Sequence, residues 1–177
     1  GLRINDVART LVEAGVEVEV LTGKPNYPRG QIYSGYRTYG CQRESREGVL
    51  INRIPLLARG QGGVRLALNY LSFVISGVLF APWMLRKKRY DVIFVYAPSP
   101  LLQAIPAIFI GWLKGCPVVL WVQDLWPESL SATGFVRNRF VLKLVEWVVR
   151  FIYCHVDLLL VQSRSFVAPK ISRAFTS

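Results

Sequence analysis

Three nearly uninterrupted apolar runs, each breaking into a turn at its carboxyl end, constrain the fold of this chain more than any other feature. Tyr90-Asp91-Val92-Ile93-Phe94-Val95-Tyr96 opens into Ala97-Pro98-Ser99-Pro100, Pro117-Val118-Val119-Leu120-Trp121-Val122 into Gln123-Asp124, and Val156-Asp157-Leu158-Leu159-Leu160-Val161 into Gln162-Ser163. Short apolar runs bounded by turn residues read as strands: the first is expected to be buried on both faces, the second to be buried, and the third to be the last strand of the chain. Between them lie two helical patterns: Leu101 to Leu113, closed by Lys114-Gly115, and Val136 to Tyr153, in which Val141, Leu144, Val145, Val148, Phe151 and Ile152 recur at three-and-four spacing. Strands alternating with helices of this length predict an α/β fold, a Rossmann-like, doubly wound parallel sheet.

The first half continues the alternation less regularly. Leu2, Ile4, Val7, Ala8, Leu11 and Val12 make one face of a helix over Gly1 to Ala14, and Gly15 stops it. Val16 to Leu21 alternates apolar and acidic residues, a strand with one wetter face. Gly23, Pro25, Asn26, Pro28 and Gly30 then make Thr22 to Gly30 a long turn-rich loop. Residues 36 to 47 are polar and read as extended or irregular, Val49 to Ile54 reads as a strand, and Ser165 to Phe175 as a final short helix. Because the chain opens within a helix rather than on a strand, the first strand of such a sheet is expected upstream of Gly1. In open α/β sheets ligands sit beyond the carboxyl ends of the strands. The residues to watch are therefore Thr22 to Pro28, Pro98 to Pro100, Gln123 to Glu128, and Ser163.

A length of 177 residues suits one domain with one core, and residues 1–177 are read as such. The formal charge of +11 favours phosphate-bearing partners: nucleic acid, anionic lipid headgroups or a diphosphate substrate. Nucleic-acid readers concentrate their basic residues in recognisable modules, none of which is present, so no nucleic-acid partner is expected. Cys41, Cys116 and Cys154 are far apart and odd in number, which argues against a disulfide framework and a paired-cysteine metal site. The polar opening is unlike a secretory leader. Val64 to Leu85 is mostly apolar, carries only Arg65 as a charge, and runs into Arg86-Lys87-Lys88-Arg89. Three readings stay open for it: a membrane span, an interfacial helix resting on lipid, and a core helix.

Three stretches, in this order and spacing, carry a family resemblance: Leu21-Thr22-Gly23-Lys24-Pro25-Asn26-Tyr27-Pro28, Tyr96-Ala97-Pro98-Ser99-Pro100, and Trp121-Val122-Gln123-Asp124-Leu125-Trp126-Pro127-Glu128-Ser129. Together they resemble family 4 glycosyltransferases of two-Rossmann architecture, in particular the WbuB-like amino-sugar branch, and the similarity spans essentially the whole chain. The resemblance implies the N-terminal, acceptor-side half of such an enzyme, truncated at both ends and inactive alone. The nucleotide-sugar donor would be held by a spaced glutamate pair in a C-terminal domain beyond Ser177. Transfer would retain anomeric configuration, with no bound metal and no cofactor. The acceptor would be a polyprenyl-diphosphate-linked glycan of bacterial surface polysaccharide, met by a protein peripheral to an anionic membrane surface on the cytoplasmic side.

Sugar transfer needs an acceptor hydroxyl held at the anomeric carbon, a stabilised oxocarbenium-like transition state and a neutralised leaving diphosphate. Carried onto this chain, the first task falls to Asp124, as base or positioning group, with a helix cap as the structural alternative. Lys24, Asn26, Tyr27, Ser99, Trp126 and Glu128 are expected to bind the acceptor, and Arg3 the diphosphate. Each also has a purely structural reading: Glu128 answers a helix macrodipole, Trp126 fills a core, and Ser99 caps a helix. His155 reads as structural. Two rival classes remain. One is an oxidoreductase whose glycine-rich dinucleotide motif lies upstream, since none follows a visible strand. The other is a membrane-anchored scaffold spanning the bilayer through Val64 to Leu85.

Overall fold

The computed structural model describes residues 4–98, 101–123 and 139–162. The chain forms two compact units, one up to Lys87 and one from Lys88 onward.

In the first unit, helix α1 (Ile4–Glu13) leads to β1 (Glu19–Gly23), then β2 (Gln42–Arg46), β3 (Val49–Ile54) and a long helix α2 (Gly63–Met84). Helix α1 ends where its sequence stops it. Gly15 takes φ 85°, its amide donates to Val12 O at 2.9 Å, and Val16 N reaches Leu11 O at 3.0 Å. That paired closure requires a left-handed residue, which glycine adopts without a Cβ clash. The sheet order is β1-β3-β2, with β1 parallel to β3 and β2 antiparallel to it.

Strand β2 falls in the stretch expected to be extended or irregular. Its sequence, Gln-Arg-Glu-Ser-Arg, has no apolar alternation. A two-residue turn builds it, with Glu47 at φ 51° and Gly48 at φ 79°, the pair of positive φ angles that matches hairpin twist. Polar pairs across the ladder then hold it: Arg53 Nε donates to Glu44 Oε1 at 2.7 Å, and Arg43 Nε to Asn52 Oδ1 at 2.9 Å.

The second unit is the regular one. β4 (Ile93–Ala97), a 3-10 turn (Leu101–Gln103), α3 (Ala104–Lys114), β5 (Val118–Val122), α4 (Arg139–Cys154) and β6 (Leu158–Val161) alternate along the chain. Their strands form an all-parallel sheet in the order β4-β5-β6. The core gathers Val95, Ala97, Val118, Leu120 and Val122 from one sheet face with Ile108 of α3 and Val149 and Ile152 of α4. The fold class is thus α/β, Rossmann-like in its parallel strands and covering helices.

One detail departs from expectation. The face of β4–β6 on the core is mostly buried, with Ile93, Leu159 and Val161 half-buried, while Phe94, Leu158 and Leu160 on the other are 39%, 52% and 38% exposed. Trp121 fills that second face, edge-on to Tyr96 with centroids 5.4 Å apart and tilted to Phe94 at 6.1 Å. The expected final helix, Ser165 to Phe175, lies outside the described residues.

Candidate functional site

Adjacent parallel strands leave their last backbone groups at one sheet edge, and at the carboxyl ends of β4 and β5 those groups are joined. Gln123 N donates to Ala97 O at 3.3 Å, so the ladder runs one residue past β5. Tyr96 Oη and Gln123 Oε1 meet at 3.4 Å, and Gln103 Nε2 donates to Tyr96 O at 2.6 Å, tying the 3-10 turn back to β4. In sequence Tyr96 lies three residues before Ser99, and Gln123 is the residue before Asp124. Ser99, Asp124, Trp126, Glu128 and Arg3 themselves lie outside the described residues.

The loop after β1 is described in full, and it sorts its three expected acceptor contacts by direction. Lys24 points inward: it is 1% exposed, and its ammonium donates to Arg37 O and, at 3.0 Å, to Tyr39 O. Burial depresses its pKa below the ordinary lysine range; Cys41 opposes that shift and Arg37 adds to it. Asn26 staples two backbone segments, with Nδ2 donating to Lys24 O at 2.9 Å and Oδ1 accepting from Arg59 N at 3.2 Å. Tyr27 alone faces outward, 70% exposed, with the Arg59 guanidinium 5.3 Å from its ring centroid. Tyr33 Oη donates to Tyr27 O at 2.6 Å, and Arg29 lies 5.7 Å over the Tyr33 ring.

The loop therefore presents two tyrosines interleaved with two arginines, a surface suited to sugar faces and phosphate oxygens. Arg29, Arg59 and Tyr33 carry no motif signal. Arg59 in particular is far away in sequence and reaches Tyr27 only because Asn26 holds its backbone amide.

Two hollows flank the units' interiors. In the first unit a groove of about 730 Å³ runs between Cys41, Gln42 and Arg43 on one side and Leu79, Phe80, Trp83 and Met84 of α2 on the other. In the second, a hollow of about 400 Å³ is lined by Trp112, Cys116, His155 and Asp157, among others. It lies at the amino ends of β5 and β6, the edge opposite the one where such sheets bind ligands. Its polar groups are already used: Asp157 Oδ2 accepts from Val118 N at 2.7 Å, and His155 Nδ1 pairs with Phe151 O at 2.7 Å. Burial also raises the Cys116 thiol pKa, with Asp91 and Asp157 adding to the shift. Among the described residues no cluster of His, Cys, Asp and Glu is arranged to hold a metal ion.

A parallel α/β sheet with covering helices and a polar corner at its strand ends defines the class: a Rossmann-like domain. The family model described as "Glycosyl transferase 4-like domain" matches residues 1–171, and the chain belongs to that family. A curated relative, "Putative colanic acid biosynthesis glycosyl transferase WcaI" of Escherichia coli (strain K12), is 25% identical over 142 residues, which cover 76% of this chain and 32% of the relative. The chain thus spans about a third of that relative's length.

Proposed function

We propose that this chain is the acceptor-side domain of a sugar transferase that moves a hexose or amino sugar from a nucleotide-sugar to a polyprenyl-diphosphate-linked glycan. The setting is bacterial surface polysaccharide synthesis at the cytoplasmic face of the membrane. The carrying observation is the joined carboxyl edge of β4 and β5, where Tyr96, three residues before Ser99, meets Gln123, the residue before Asp124, in a chain of a glycosyltransferase family. The relative's printed role in colanic acid biosynthesis supports a polysaccharide product, and the three quoted motifs support the WbuB-like, amino-sugar branch.

In the proposed reaction the acceptor oxygen bonds to the anomeric carbon as the bond from that carbon to the diphosphate oxygen breaks, with overall retention. The hydroxyl proton leaves to the departing diphosphate or to Asp124. Asp124 orients the hydroxyl, while Ser99, Trp126 and Glu128 line the acceptor site and Arg3 faces the diphosphate. Tyr27 meets the acceptor directly. Asn26 and Lys24 act from behind, by fixing the loop that carries it.

The test uses the full-length protein with a panel of nucleotide-sugars and a polyprenyl-diphosphate-linked acceptor. Transfer is expected, and Asp124→Asn should lower turnover by about tenfold or more. Undiminished turnover removes Asp124 from the mechanism; no transfer from any donor overturns the assignment.

A further inference from the structure

The outward face of α2 is apolar along its whole length. Val64, Leu68, Leu71, Ile75, Leu79 and Trp83 recur three or four residues apart and are each 45% to 76% exposed. The inward face holds Asn69, Gly77, Ala81 and Met84, all buried. On that face Asn69 Nδ2 donates to Leu57 O at 2.5 Å. A soluble helix on a sheet normally turns its polar face to water; this one turns a continuous apolar stripe.

The charge around the stripe says what covers it. From Gly48 to Tyr90 the sequence has no Asp or Glu, while Arg65 lies at the start of α2 and Arg86-Lys87-Lys88-Arg89 directly follows its end. All five are exposed, and the Arg86 guanidinium lies 5.7 Å from the Trp83 ring centroid. A tryptophan at the junction of an apolar stripe and a basic cluster is the arrangement of a helix lying in a membrane interface, rings at headgroup level and cations on lipid phosphates.

We infer that the Val64 to Trp83 face of α2, together with Arg65 and Arg86 to Arg89, is a docking surface for an anionic bilayer. The helix lies along the membrane rather than across it. It is long and apolar enough to span, but here one face is tied to its own unit: Asn69 and Ser72 hold the Leu57 backbone, and Met84 O accepts from Arg43. The inference deepens the function proposed above by naming the surface that meets the membrane, and it rests on that reading only for the choice of leaflet.

The test is flotation of the full-length protein with vesicles of phosphatidylcholine alone and of phosphatidylcholine with phosphatidylglycerol. Two variants change only exposed side chains: Leu71→Gln/Ile75→Gln/Leu79→Gln, and Arg86→Gln/Lys87→Gln/Lys88→Gln/Arg89→Gln. Wild type should bind the anionic vesicles, more weakly at high salt, and alkaline carbonate should release it. Each variant should weaken binding by about tenfold or more with an unchanged melting temperature. Retention through carbonate extraction would establish a span and overturn the flat arrangement. Equal binding by the apolar variant, or self-association that the apolar variant abolishes without any vesicle binding, would assign the stripe elsewhere. Transfer to a short water-soluble acceptor analogue should persist in both variants, so a failure to dock is distinguishable from a failure of the transferase reading.

Discussion

Asn52 lies opposite Arg43 across the β2–β3 ladder, and its Oδ1 accepts a 2.9 Å hydrogen bond from Arg43 Nε. Its Nδ2 donates to Glu19 Oε1 at 2.6 Å, so one fully buried amide joins all three strands of the first sheet. Arg43 also donates to Met84 O at the end of α2, which extends the clasp to the helix. Asn52→Leu keeps the volume and removes both bonds, leaving Glu19 and Arg43 without this partner. A loss of about 1–3 kcal/mol is expected, read as a lower urea midpoint at unchanged slope. An unaltered midpoint would show that the clasp adds nothing to stability.

Lys24 makes a second prediction, with a pH signature. Lys24→Met removes the donor to Arg37 O and Tyr39 O while filling the same space, and a destabilisation of about 1–3 kcal/mol is expected. The folded pKa lies below the ordinary 10.5 because burial disfavours the charged form. Between that lowered value and 10.5 the unfolded chain binds more protons than the folded one, so Lys24 contributes stability that rises with pH over this window. The gap between wild type and Lys24→Met, followed by denaturation across the alkaline range, should therefore widen with pH. A constant gap would contradict the depressed pKa.

Gly111 of α3 sits close against the start of β5. A Cβ there would lie 2.6 Å from Val118 Cγ2 and 3.0 Å from Cys116 O, and the second of these is backbone that cannot swing aside. Alanine usually favours a helix interior by about 0.5–1 kcal/mol over glycine. Here the clash outweighs that gain, and Gly111→Ala should destabilise by about 1–3 kcal/mol. Calorimetry showing a raised melting temperature would mean that the helix shifts without cost.

Helix stops and apolar strands were legible in the sequence, whereas the partners of Asn52 and Lys24 were not. Gly15 and Lys114-Gly115 could be read as helix stops because a left-handed closing residue leaves a local signature, and Gly115 indeed takes φ 62°. The apolar runs of β4, β5 and β6 were equally legible, since their patterning is local. Strand β2 was not, because its partners Asn52 and Arg53 lie on β3 and no periodicity betrays a polar strand held by polar pairs; the Glu47-Gly48 turn was the available cue. The direction of Lys24 was hidden for the same reason. A lysine after a strand looks alike whether it faces water or reaches carbonyls thirteen and fifteen residues away. The expectation that β4 is buried on both faces failed at Phe94, 39% exposed, because hydrophobicity does not state what covers it.

Tyr27 offers the most direct test of the acceptor loop. Its ring is 70% exposed, its backbone carbonyl is held by Tyr33 Oη, and the Arg59 guanidinium lies over its ring at 5.3 Å. Little of its side chain supports the fold, so Tyr27→Ala should leave the melting temperature unchanged. A sugar resting on the ring contributes equally to ground and transition states, and losing it raises KM without changing kcat. Stacking contacts of this kind correspond to about a two- to tenfold rise in acceptor KM, with Tyr27→Trp retaining wild-type behaviour in the full-length enzyme. If Tyr27→Ala leaves acceptor KM unchanged, or if kcat falls with it in equal measure, the ring is not the platform and the loop meets the acceptor through Arg29 and Arg59 instead.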